Sequence, residues 1–281
     1  MNKVFQRLLV FFIGVPLIIL LVFFESYNHL PLQIAVMIAI LIATHELYTI
    51  LKQKIHVQPL WIPMGLNFII SIINLCVWSC GITAKWLTLI FVFSILFSIS
   101  WEILANNKSG NFEGVLEKIF STIFIIFYIP FLLTFITKLT VLNYSREFLI
   151  LFFLIVFSCD SFAWLFGVLF GKGTRGIITV SPKKSLVGFI GGIISSIAIT
   201  FLFCKFYPTI FNSNYVAIFI IGFFTAISAI LGDLAESAIK RSASVKDSGT
   251  IMPGRGGLLD SIDSILFAAP IYYILILFFF V

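Results

Sequence analysis

The chain has 281 residues, 60% of them hydrophobic and 11% charged, with a formal net charge of +6 and a mean hydropathy of +1.14. A soluble domain is about 45–50% apolar and about 25% charged, so there is too little polar surface here to clothe a water-soluble globule. The modest positive charge suits anionic headgroups or phosphates, and no soluble basic domain is left to offer a groove to nucleic acid.

A bilayer core takes about 20 apolar residues per helix. Nine stretches meet that length: about 5–24, 31–51, 60–80, 84–104, 116–137, 148–170, 186–206, 215–239 and 261–281. The first follows Lys3 and Arg7 and resembles a signal peptide. Its apolar run is long, it lacks a small-residue cleavage site and more spans follow, so a retained helix is expected. The second carries His45–Glu46 and the fourth ends near Glu102. A carboxylate inside a span is a functional candidate by default. Glu46 lies within about one turn of its span's end, where snorkelling or helix pairing explains it equally well. Cys76, Cys80, Cys159 and Cys204 are scattered in or beside apolar runs and read as packing residues. No internal repeat is seen, which weighs against an inverted-repeat transporter.

These stretches predict an all-α integral membrane protein of about nine transmembrane helices. With the N-terminus placed in the cytoplasm, fourteen of the 18 Lys and Arg fall in cytoplasmic segments. Lys85, Lys138, Arg146 and Lys205 fall outside, a strong positive-inside bias that puts the C-terminus outside after nine crossings. Residues 1–145 are expected to form a scaffold of helices, and 146–281 a catalytic region with cytoplasmic loops.

From Asp160 onward polar residues gather at helix ends and in two cytoplasmic loops. Gly171–Gly176 spells GxGxxG, but a dinucleotide fingerprint needs a strand before it and a helix after it; a basic loop fits better. In Ser181-Pro-Lys-Lys-Ser185, Pro182 suits a first helical turn and Ser181 an N-cap. Lys183 and Lys184 add cations where a helix N-terminus already attracts anions. Further on, Asp233, Glu236, Ser237 and Lys240 are spaced i, i+3, i+4 and i+7, one helical face. Asp260, Asp263 and Ser264 repeat that geometry at the start of the last span. Single carboxylates of this kind are explained as readily by salt bridges to Lys240 and Arg241, or by a helix N-terminus. Several together are not: each costs about 2.5–3.5 kcal/mol inside a membrane helix. A hard cation such as Mg²⁺ with substrate phosphates supplies the compensating charge. Pro253-Gly-Arg-Gly-Gly257 adds backbone N–H groups in a phosphate-friendly turn.

The segment resembles the signature of the phosphatidate cytidylyltransferases, S-x-x-K-R-x4-K-D-x5-P-G-H-G-G-x-x-D-R-x-D. The chain supplies Ser237, Lys240, Arg241, Lys246, Asp247, Pro253, Gly254, Gly256, Gly257, Asp260 and Asp263 at those spacings. Gly232-Asp233 and Ser181-Pro-Lys-Lys-Ser185 also look like family elements. The likeness covers about the last 120 residues; the N-terminal half matches in hydropathy only. Arg255 stands where the pattern often has His, and Ser261 where it often has Arg. Arg255 keeps a cation at the turn but cannot serve as an acid–base near neutral pH.

The resemblance implies transfer of CMP from CTP to phosphatidic acid at the cytoplasmic face of the inner membrane, for phospholipid biosynthesis. It further implies Asp233 and Asp260 as Mg²⁺ ligands, with one or two cations bound, and Asp263 and Glu236 in support. Lys183, Lys184, Lys240, Arg241, Lys246 and Arg255 would neutralise phosphate. Ser181, Ser237, Asp247, Gly254, Gly256, Gly257 and Asp160 complete the expected substrate-binding set. A homodimer is compatible with the sequence, though no residue argues for one. A CTP-dependent transferase acting on another lipid phosphate or polyprenol, or a transporter, remains the alternative at this point.

Overall fold

The apolar runs fold as helices because a backbone in hydrocarbon must satisfy its own N–H and C=O groups. The computed structural model describes residues 3–107, 110–212, 214–254 and 256–281, with side chains from Phe12 onward. In chain order the helices are α1 (Lys3–Phe23), α2 (Ser26–Leu51), α3 (Trp61–Cys80), α4 (Lys85–Asn106), α5 (Val115–Ile126) and α6 (Leu132–Leu139). Then come α7 (Ser145–Phe170), α8 (Leu186–Phe206), the short α9 (Pro208–Phe211), α10 (Tyr215–Ser242) and α11 (Leu259–Phe280). Among the described residues there is no strand, only isolated bridges at Arg175–Ser185 and Met252–Gly256. Among the described residues, eight spans, with α5 and α6 counted as one, are long and apolar enough to cross a bilayer, and the described part of α1 adds an apolar stretch, Phe12–Phe23. The chain is thus a multi-pass, all-helical membrane protein.

Two prolines explain where single runs depart from one regular helix. Pro130 has no N–H and its ring clashes one turn back, and Phe127–Phe131 between α5 and α6 winds as a π-turn. In α2, Tyr27, Asn28 and His29 take left-handed φ values of 52°, 55° and 58°, just ahead of Pro31. The regular right-handed helix therefore begins close to the expected residue 31.

The chain divides into two compact units. The first runs up to Thr137 and takes in Ser242–Ser261; the second holds Lys138–Arg241 and Ile262–Val281. The loop after α10 packs with the first unit. That unit's core includes Ile62, Leu66, Ile70, Leu87 and Ile126. A buried polar network crosses it: Gln58 Nε2 donates to Glu102 Oε1 (3.0 Å), Asn106 Nδ2 to Glu102 Oε2 (3.0 Å), and Ser98 Oγ to Gln58 Oε1 (2.9 Å). Lys118 Nζ lies 3.4 Å from Glu102 Oε2, so this intramembrane carboxylate is answered by both amides and a cation.

The second unit packs on small residues. A Cβ at Gly188 would stand 2.5 Å from the Ala163 carbonyl, and one at Gly192 2.8 Å from that of Cys159. Glycine therefore lets α8 lie backbone to backbone on α7, the small-residue packing common between membrane helices. Phe148, Phe152 and Tyr272 form the buried aromatic centre, and Tyr272 Oη donates to the Phe148 carbonyl at 2.7 Å.

Candidate active site

In the second unit, α10 brings Glu236, Ser237 and Lys240 to a buried face, with Asp233 partly exposed. Lys240 Nζ lies 2.5 Å from Glu236 Oε2, one turn back on the helix. Lys184, from the loop before α8, forms an ion pair with Asp233. Asp263 on α11 is buried and within electrostatic range of Asp233, Asp160 and Glu236. Its Oδ1 accepts from Ser264 N at 2.7 Å, and Ser264 Oγ donates to Asp160 Oδ1 at 3.2 Å, tying α11 to α7. Gly232 makes the approach of α10 to α11 feasible, since a Cβ there would stand 2.4 Å from the Asp263 carbonyl oxygen.

Two carboxylates, Asp233 and Glu236, thus pair with the ammonium groups of Lys184 and Lys240, while Asp160 and Asp263 are joined through Ser264. Hard oxygen donors in excess of cations are the chemistry that Mg²⁺ takes. Among the described residues, no three such side chains already converge on one point as a metal cage.

The first unit holds a different carboxylate centre. Met252 and Gly256 exchange two backbone hydrogen bonds, of 2.8 and 3.0 Å, closing a tight turn. Gly254 and Gly256 have φ of 73° and 116°, conformations that favour glycine. Asp260, in the first turn of α11, accepts at Oδ2 from Ser248 N (2.8 Å), Ser248 Oγ (2.9 Å) and Gly257 N (2.7 Å). Glu46, buried in α2, accepts from Leu258 N at 2.9 Å and from Leu259 N at 2.7 Å. The segment 247–260 is thereby sewn both to its own helix and to α2.

The residues expected from the sequence separate accordingly. Asp160, Lys184, Asp233, Glu236, Ser237, Lys240 and Asp263 belong to the second unit; Asp247, Gly254, Gly256, Gly257 and Asp260 belong to the first. Lys183, Arg241, Lys246 and Asp247 are exposed, and Arg255 lies outside the described residues. Ser181 is not the N-cap of α8. The cap is Ser185, extended at φ −120° and ψ 148°, whose Oγ accepts from Gly188 N at 3.1 Å. Ser181 instead closes a turn ahead of the helix, its carbonyl accepting from Lys184 N at 3.0 Å. The loop of Gly171–Gly176 holds a 3₁₀ turn, and Arg175 Nη2 donates to the Gly167 carbonyl at 2.9 Å. Two contributors have no place in the expected set. Ser248 carries no sequence signal; Glu46 was visible as a carboxylate in an apolar run, but its partners were not.

The chain belongs to the cytidylyltransferase family: the family's model matches residues 5–279. Curated relatives match less than half of the chain. A Staphylococcus haemolyticus phosphatidate cytidylyltransferase is 41% identical over 125 residues, 44% of this chain and 47% of its own. The Thermotoga maritima phosphatidate cytidylyltransferase is 44% identical over 118 residues, 41% of this chain and 43% of its own. A chloroplastic phosphatidate cytidylyltransferase of Arabidopsis thaliana is 41% identical over 120 residues, 42% of this chain and 29% of its own. The matched stretch thus spans less than half the length of each of these relatives.

Proposed function

We propose that this chain transfers the cytidylyl group of CTP to phosphatidic acid, giving CDP-diacylglycerol and pyrophosphate. The observation that carries the reading is the cluster of Asp160, Asp233, Glu236 and Asp263 with Lys184 and Lys240, in a chain of this family. A phosphatidate oxygen attacks the α-phosphorus of CTP, the bond from that phosphorus to the α,β-bridging oxygen breaks, and pyrophosphate leaves with the electron pair. The nucleophile is already ionised, so no strong base is required, and catalysis rests on positioning and charge neutralisation.

Bound Mg²⁺ would supply Lewis-acid neutralisation of the phosphates. Asp233 and Asp263 are the donors we assign to it, with Asp160 and Glu236 holding the surrounding charge. Asp260 Oδ2 accepts from Ser248 N and Gly257 N and lies 2.9 Å from Ser248 Oγ, so the metal role expected of Asp260 is assigned to Asp263 instead. Lys184, paired with Asp233, and Lys240, paired with Glu236, are the cations placed to neutralise phosphate oxygens. The positive-inside bias supports an active site facing the cytoplasm, where CTP is available.

The test is purified protein in detergent with labelled CTP, Mg²⁺ and a panel of phosphatidic acid, other lipid phosphates and polyprenyl phosphate. Labelled CDP-diacylglycerol and pyrophosphate are expected, with loss of both on chelation. Label in a different acceptor, or in none, overturns the reading.

A further inference from the structure

We propose that Glu46, on α2, is a positioning residue for the reaction: it pre-forms the glycine-rich turn that receives the phosphates of CTP. The inference rests on the cytidylyltransferase reading above. Glu46 is 3% exposed. Among the described residues, its hydrogen-bond donors all come from one segment: Leu258 N to Oε1 (2.9 Å), Leu259 N to Oε2 (2.7 Å) and Ser248 Oγ to Oε2 (3.1 Å). These contacts span more than 200 residues of chain. The segment wraps the carboxylate closely. A Cβ at Gly249 would stand 2.7 Å from Oε1, and one at Gly257 2.5 Å from Oε2.

Ser248 links this carboxylate to a second one. Its hydroxyl has a single proton, yet lies 3.1 Å from Glu46 Oε2 and 2.9 Å from Asp260 Oδ2. Asp260 holds Ser248 N and Gly257 N as well. Two negative groups therefore clamp the two ends of the turn that carries Pro253–Gly257, one from within the segment and one from α2. A carboxylate is the right group for this work: it offers only acceptors, and bonds from N–H to an ionised oxygen are about twice as strong as neutral ones. Gln at position 46 would keep one acceptor oxygen but turn an NH₂ toward backbone donors. The turn would then be ordered by CTP rather than before it, and the ordering would weaken CTP binding.

The test compares wild type with Glu46→Gln, Glu46→Asp and Ser248→Ala in detergent. Steady-state kinetics are taken for both substrates, together with amide hydrogen exchange of peptides covering 247–259 without substrate. For Glu46→Gln, we expect the KM for CTP to rise about tenfold, the loss of roughly one net hydrogen bond, with the KM for phosphatidic acid unchanged. Exchange in 247–259 accelerates, while peptides around Glu102 keep the wild-type rate. Glu46→Asp recovers part of both effects, and Ser248→Ala shows a smaller rise in KM for CTP. Ser248→Ala carries the test if Glu46→Gln fails to fold. An unchanged KM for CTP in an active enzyme overturns the proposal even where exchange accelerates, since Glu46 would then be structural only. A wild type without cytidylyltransferase activity sinks the functional reading instead, and the exchange arm still reports whether Glu46 orders the turn.

Discussion

Glu46 and Asp260 in the first unit are held by backbone and hydroxyl donors of one turn, whereas Asp233 and Glu236 in the second face lysine ammonium groups. The partners differ in what they can give up. A backbone N–H is fixed by the fold and cannot move off its acceptor without unfolding the turn. An ammonium on a four-carbon stem can leave a carboxylate for a phosphate oxygen at little cost in structure. The first arrangement is built into the turn, the second is an exchangeable charge set under the proposed function, and substitutions in each should read out differently.

The largest effect is expected at the exchangeable set. Asp263→Asn keeps the shape of the side chain but removes a donor from the cluster. Turnover should fall by about 10²–10³-fold, as when a preorganised transition-state group is lost. Thermal stability in detergent should hold or rise, because Asp263 sits among like charges at Asp233, Asp160 and Glu236. Loss of activity with a parallel fall in Tm would instead make Asp263 an architectural residue and erase the contrast between the units.

Next in size is the contact that assembles the set. Gly232→Ala drives a methyl to within 2.4 Å of the Asp263 carbonyl oxygen, and backbone cannot swing aside as a side chain can. Overpacking of this kind costs about 1–3 kcal/mol. A lowered Tm together with lowered turnover is expected; wild-type values for both would show that α10 and α11 need no close approach.

How much of this was legible beforehand follows from what each feature depends on. The membrane helices were, because an apolar run of bilayer length has few other fates, and α8 at Leu186–Phe206 falls on its expected bounds. The Ser237–Asp263 spacing was, because one chain segment carries it. The break at Phe127–Phe131 needed more than Pro130, since many prolines merely bend a helix, as Pro270 does not interrupt α11. Glu46 could be seen but not read. Its partners are backbone amides, which have no letter in a sequence, and they arrive from more than 200 residues away. The grouping of Ser242–Ser261 with the first unit was hidden for the same reason.

A third buried carboxylate sharpens the contrast from the structural side. Glu102 is 2% exposed and has both amide donors and Lys118. Removing one partner of a fully buried ion pair costs about 3–5 kcal/mol. Lys118 keeps 27% of its side chain exposed and can turn to water, so Glu102→Gln should cost only roughly 1–2 kcal/mol, the range for a lost charged hydrogen bond. A modestly lower Tm with unchanged kcat and KM is expected. A changed KM for CTP would make Glu102 part of the functional machinery rather than of the fold alone.

The smallest effect separates two serines four positions apart in the loop that delivers Lys184 to Asp233. Ser185 Oγ accepts from Gly188 N at 3.1 Å and satisfies a free donor at the start of α8. Ser181 contributes its carbonyl to the preceding turn, a bond that any residue can make. The two were hard to tell apart in the sequence because Pro182 suits a first helical turn as readily as the tight turn it occupies. Ser185→Ala should therefore cost about 1 kcal/mol of stability, whereas Ser181→Ala should cost nothing measurable in Tm. Because the cap sets where α8 begins, it also fixes the length of loop from which Lys184 reaches Asp233. A small rise in KM for CTP should accompany the stability loss in Ser185→Ala. Equal Tm values for the two variants would return the cap to Ser181 and move the start of the helix back by a turn.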